Sequence, residues 1–97
     1  GGETYNTIAN NANRIFGYDW GANADNVRWA QGLLAGGESM QGVLNSFAYG
    51  GETYGLIAAM NASILGYAVS DATIRQQQAQ LANGASFNDL RNKLLNR

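Results

Sequence analysis

The sequence predicts an all-α fold of two tandem three-helix units, about six helices sharing one core, in a single domain over residues 1–97 with repeats at 1–49 and 50–97. Three observations predict it. The pentapeptide Gly-Gly-Glu-Thr-Tyr opens the chain at Gly1 and returns unchanged at Gly50, and self-similarity at a fixed period is the mark of a repeat architecture. Apolar residues recur at steps of three and four, with no sustained strand-type alternation. Proline is absent, and glycines close the apolar stretches. The echo runs on as Ile8-Ala9 against Ile57-Ala58 and Ile15 to Tyr18 against Ile64 to Tyr67. Beyond the loop around Trp20 to Ala24 the offset shortens from 49 to 47, which pairs Val27-Arg28 with Ile74-Arg75 and Ser39 with Ser86.

Taken in order, Tyr5, Ile8, Ala9, Ala12, Ile15 and Phe16 form one stripe and predict a helix over Glu3–Phe16, stopped by Gly17. Asn6, Asn10 and Asn13 fall on its opposite side. A second helix is expected from about Asp25, capped by that side chain and burying Val27, Ala30 and Leu34. Ser39 reads as the N-cap of a third, which buries Met40, Val43, Leu44 and Phe47. The second unit repeats the plan. Its helices are expected over Glu52–Leu65, burying Tyr54, Ile57, Ala58, Ile64 and Leu65; over 71–82, burying Ile74 and Leu81; and after Ser86, burying Phe87, Leu90 and Leu94. Ser86 with Asp89 resembles a capping box. Neither half buries enough apolar surface to stand alone, so the repeats are expected to share one core.

Composition narrows the function. A net charge of −1 with few ionisable groups offers no basic surface for phosphates, so nucleic acid is not an expected partner. No apolar run approaches the length of a membrane span, and membrane insertion is not expected. Histidine and cysteine are absent, which removes the commonest nucleophiles, bases and transition-metal ligands, and the acids fall mostly where helix N-termini favour negative charge. Catalysis is therefore not expected. Amides are abundant and Lys93 is the only lysine, a habit of extracellular bacterial proteins. The start at Gly1 and the ends in phase with the repeat point to a processed or excised piece of a longer polypeptide, with its neighbouring domains as partners.

The order Arg14-Ile15-Phe16-Gly17, Trp29, Leu34, Gly37-Glu38-Ser39, Val43 and Phe47 resembles the bacterial repeat family catalogued as domain of unknown function 4214. The second unit keeps the frame in Ile64-Leu65-Gly66, Leu81, Gly84-Ala85-Ser86, Leu90 and Leu94, with Gln76 in place of the tryptophan. Tyr18 and Tyr67 stand where that family has an arginine after the glycine, and neither loop holds its Pro-Asp pair. The resemblance implies a helical module of secreted, surface-layer or adhesin-type bacterial proteins without established catalysis. It also implies a core position for Trp29.

Two constellations remain. Asp19, Asn23 and Asp25 carry oxygen donors at a spacing a calcium ion can use, but turn formation and helix capping account for the same residues, so no cofactor is expected. Trp20 has no counterpart in the second unit, where Val69 stands, and is expected to be an exposed loop aromatic beside Tyr18. Flat aromatics stack on sugar faces and neutral amides bond hydroxyls at little desolvation cost, so Trp20, Tyr18, Asn6, Asn10 and Asn13 make a candidate surface for extracellular or cell-surface polysaccharide. The alternatives are a structural spacer or assembly domain that packs on other parts of the parent protein, and an accessory domain of a polysaccharide-acting enzyme. Gln76-Gln77-Gln78 is expected to be a solvated helix face.

Overall fold

The computed structural model describes residues 2–97. Among these the chain is all-helical: α1 (Gly2–Phe16), a 3-10 turn (Trp20–Ala22), α2 (Ala24–Ala35), α3 (Met40–Ala48), α4 (Gly51–Leu65), α5 (Asp71–Ala82) and α6 (Phe87–Leu95). The predicted helices match within two residues at their starts. Local chemistry accounts for this. Ser39 accepts from the backbone N–H of Gly42, Ser70 from Thr73, and Ser86 with Asp89 closes a full capping box at the start of α6. The expected cap of α2 shifts: Asn23 Oδ1, not Asp25, accepts the free N–H, from Asp25 itself at 3.0 Å.

The helices pack around one apolar cluster that takes Ile8, Ile15, Phe16, Val27, Val43 and Phe47 from the first repeat and Ile57, Met60, Ile74, Leu81, Phe87 and Leu90 from the second. Within the first repeat each helix packs on the other two; in the second, α4 holds both α5 and α6. The repeats join unsymmetrically. α3 lies on α5, and α1 lies on α4, α5 and α6, whereas α2 makes no comparable packing on any helix of the second repeat. The body is elongated, 43 × 22 × 19 Å.

Polar groups seal the junction. Arg14 at the end of α1 donates through Nη1 to the carbonyls of Leu81, in the last turn of α5, and Ala85, just beyond it, both at 2.6 Å, at the negative dipole end of that helix. Asn11 Oδ1 accepts from the Arg14 Nε and Nη2 at 3.3 and 3.1 Å, which fixes the guanidinium plane. Gln41 on α3 donates to the Ala82 carbonyl at 3.2 Å. Thr53 at the start of α4 is fully buried and donates to the Phe47 carbonyl at 2.6 Å. Gly17, at φ +77°, lies so close to Phe87 that a Cβ there would come within 2.6 Å of its ring. Glycine is thus required twice over, for the turn and for the approach of the repeats.

Three expectations about burial are corrected. Trp29 is 56% exposed. It sits about half a turn round α2 from Val27, so when Val27 and Ala30 face the core Trp29 must face away. Gln78 is 1% exposed, not solvated, because it lies on the same stripe of α5 as Ile74 and Leu81; its amide donates to Gly50 at 3.4 Å while its Oε1 has no partner. Gln77 is half-buried and bonded to Asn61. The third correction concerns Trp20.

Candidate functional site

Trp20 is not a free platform. The 3-10 turn tucks its indole against the core, stacked on Phe16 at 5.5 Å between ring centroids and 20° between planes, and tilted on Phe47 at 4.8 Å. Phe16 and Phe47 also meet at 5.6 Å, which closes an aromatic triad. The turn is held there by two devices. Asn13 on α1 donates its amide to Asp19 Oδ1 at 3.0 Å and accepts from the Gly21 N–H at 2.8 Å. Gly21 meets Ala9 so closely that an added Cβ would fall 2.6 Å from the alanine methyl. With one ring face on Phe16 and the indole half-buried, Trp20 is not the exposed loop aromatic expected from the sequence.

Tyr18 is the aromatic that stays outside. It is 47% exposed, its ring touches Phe16 at 5.9 Å, and its hydroxyl donates to Glu52 Oε1 at 2.9 Å across the repeats. Partial burial, and then the hydrogen bond to the carboxylate, raise the phenol above its ordinary pKa, so it stays a neutral donor. Tyr18 forms one side of a cleft of about 510 Å³ between the end of α1 and the start of α6. Asn13, Arg14, Gly17 and Asp19 line it from the first repeat, and Ser86, Asn88 and Arg91 from the second. Arg91 is steadied over the Phe87 ring at 5.4 Å. Burial lowers the Arg14 pKa, but a guanidinium spanning two carbonyls remains charged.

Of the five residues singled out in the sequence, Tyr18 and Asn13 meet in this cleft. Trp20 does not line it, and Asn6 and Asn10 are exposed on α1 away from it. Ser86, Asn88 and Arg91 carry no sequence signal for a site, because only the folding of the second repeat onto α1 brings them there. A second groove, about 520 Å³, runs between α5 and α6 past Gln80, Asn83, Ala85, Asp89, Leu90 and Lys93. It lacks an aromatic wall, and the junction cleft is the better candidate for that reason.

The oxygen donors considered for calcium each have a partner. Asp19 accepts from Asn13, Asn23 caps α2, and Asp25 pairs with Arg28 at 3.3 Å on the surface. Among the described residues no three acidic side chains converge on one point. Asp71 accepts from Tyr54 at 2.7 Å and from Arg75 at 3.1 Å, which lowers its pKa, and Asp89 is lowered by the Ser86 backbone N–H and hydroxyl. Among the described residues no helix is long and apolar enough to cross a membrane. Compared with known proteins, the chain matches no family model, no curated protein and no solved structure.

Proposed function

We propose that the protein is a non-catalytic module of a larger secreted or cell-surface bacterial protein, and that it binds extracellular or cell-surface polysaccharide in the cleft between its repeats. One observation carries this reading: the junction places an exposed, pre-oriented tyrosine ring beside amide, hydroxyl and guanidinium donors from the other repeat. A sugar stacks its C–H face on such a ring while its hydroxyls bond the polar wall. Because Glu52 fixes the Tyr18 hydroxyl, little side-chain freedom is lost on binding. The resemblance to the helical repeat of bacterial surface proteins, in Arg14 to Gly17 and Gly37 to Ser39, supports the setting. Glu52, Asp71, Asp25 and Asp89 serve a tyrosine, an arginine or a helix cap and Asp19 accepts from Asn13, so the reading assigns them no catalytic role.

The test is retention of the folded chain on a panel of bacterial and plant polysaccharides. Tyr18→Ala should weaken retention about tenfold, as the loss of one stacking face implies. Asn88→Ala should weaken it less, and Trp29→Ala, on the far face of α2, should leave it unchanged. Retention that survives Tyr18→Ala but fails in Trp29→Ala would move the site to α2. No retention on any polysaccharide would defeat the reading.

A further inference from the structure

The face of the second repeat that receives the first has a twin on the first repeat, and the twin is left more open. At the 47-residue offset Gln78, Leu81, Ala82 and Gly84 correspond to Gln31, Leu34, Ala35 and Gly37, identical in all four. The backbone agrees as well. Gly37 and Gly84 turn at φ +108° and +116°, and the next N–H returns to the helix in the same way, Glu38 to Leu33 and Ala85 to Gln80, each at 3.0 Å. Burial differs. Gln78 and Leu81 are fully covered and Ala82 nearly so, while Gln31 and Leu34 are half-buried and Ala35 is exposed.

What covers the second-repeat face is α3 together with the Arg14 and Gln41 side chains, which take the carbonyls of Leu81, Ala85 and Ala82. Their counterparts on α2 are the carbonyls of Leu34, Glu38 and Ala35. The contact between repeats is heterologous, since α3 sits on α5 but α2 has no matching seat on the second repeat. An interface of that kind leaves one unsatisfied face at each end. The first repeat adds a complementary charge, because Glu38 replaces Ala85 beside the place an incoming guanidinium would take.

We propose that Gln31, Leu34, Ala35 and Glu38 form a docking surface for another unit of this repeat, joined ahead of the first in the same polypeptide and carrying an arginine at the position of Arg14. The second repeat cannot serve as that unit through a second copy of the chain, for it has Ser63 in place of Arg14 and Arg91 in place of Leu44. Placing a further copy of residues 1–49 ahead of the chain reproduces at the new joint the Tyr49-Gly50-Gly51-Glu52 sequence that links the two repeats.

The experiment places a further copy of residues 1–49 ahead of the full chain and compares backbone hydrogen exchange with that of the 97-residue protein. The amides of residues 31–38 in the original first repeat should slow by at least about tenfold as the added unit docks, with a gain in helical circular dichroism. Arg14→Ala in the added unit alone should return most of that protection. Unchanged exchange, an added unit that stays unfolded, or protection indifferent to Arg14→Ala would each overturn the proposal. So would concentration-dependent protection of residues 31–38 in the 97-residue chain, which would make a second copy the occupant.

Discussion

In the second repeat Asn61 and Gln77 tie α4 to α5 with hydrogen bonds of 2.8 and 3.4 Å; at the same two positions the first repeat has Ala12 and Ala30, both fully buried. The contrast extends beyond that pair. Among the described residues the buried polar side chains, Thr53, Asn61 and Gln78, belong to the second repeat, whereas the first is closed by the Phe16–Trp20–Phe47 triad, whose counterparts are Leu65, Val69 and Leu94. Two alanines let helices approach closely, and an amide pair takes more room but must be fully bonded to be tolerated. The third helices differ as well. α3 packs on α2, while a groove runs between α5 and α6. One helical frame thus accepts two fillings, provided each substitution is matched by its neighbour.

The largest effect should come from the aromatic filling. Trp20→Ala removes the ring that joins Phe16 to Phe47 and should cost about 3 kcal/mol, near the low end for aromatic truncation because the ring is only half-buried. Val69→Ala, at the matching place in the second repeat, should cost about 1 kcal/mol. Urea unfolding of the two variants checks the order, and equal costs would break the comparison.

Next is the clamp that only the first repeat owns. Arg14→Ala leaves the Ala85 carbonyl without its donor and the Leu81 carbonyl with only the long bond from the Gly84 N–H, and should cost about 2 kcal/mol, the range for hydrogen bonds to a charged group. Ser63→Ala should fall within about 0.5 kcal/mol of the parent. Thermal melts distinguish the two.

The amide pair sharpens the comparison further. Asn61→Ala leaves the half-buried Gln77 unbonded, and Gln77→Ala leaves the buried Asn61 with its bond to the Ile57 carbonyl alone, so the double variant should be less destabilised than the sum of the singles by about 1 kcal/mol in a double-mutant cycle. Strict additivity would mean that the bonds contribute nothing beyond the volume they fill.

The smallest effect is set by pH. Asp71 and Asp89, both in the second repeat, have folded-state pKa values below the ordinary one, Asp71 through Tyr54 and Arg75 and Asp89 through the Ser86 backbone and hydroxyl. Depressed carboxylates stabilise the fold above the unfolded pKa of about 3.9, and that contribution is lost as the pH falls below it. Their counterparts in the first repeat are Ala24 and Gly42, which do not titrate. Exchange in α5 and α6 should accordingly accelerate on acidification before exchange in α1 and α3. Asp89→Asn should flatten that response.

The sequence disclosed what is local. The repeat, six helices and the Ser39 and Ser86 caps follow from spacing and turn chemistry, because a capping hydroxyl reaches only its own first turn. Trp20 was opaque because a three-residue turn has no periodicity to show which way its side chain faces, and its burial depends on Phe47 from another helix. Trp29 was legible from Val27 and Ala30, and the family resemblance placed it wrongly. Gln78 also lies on the Ile74–Leu81 stripe, but its polarity hid a position that spacing alone assigns to the interior. The cleft could be half seen. Tyr18 and Asn13 stood out as an aromatic and an amide, whereas Asn88 and Arg91 gain meaning only from the packing of α6 on α1.

Both tryptophans lie in the first repeat, so their fluorescence reports that repeat alone while far-ultraviolet circular dichroism reports all six helices. Urea unfolding followed by both signals is therefore the direct test of whether two differently filled repeats make one cooperative core. The two curves should coincide, with one midpoint and one slope. A fluorescence transition displaced from the circular dichroism transition would show that the repeats unfold separately, and it would contradict the shared core on which the junction cleft depends.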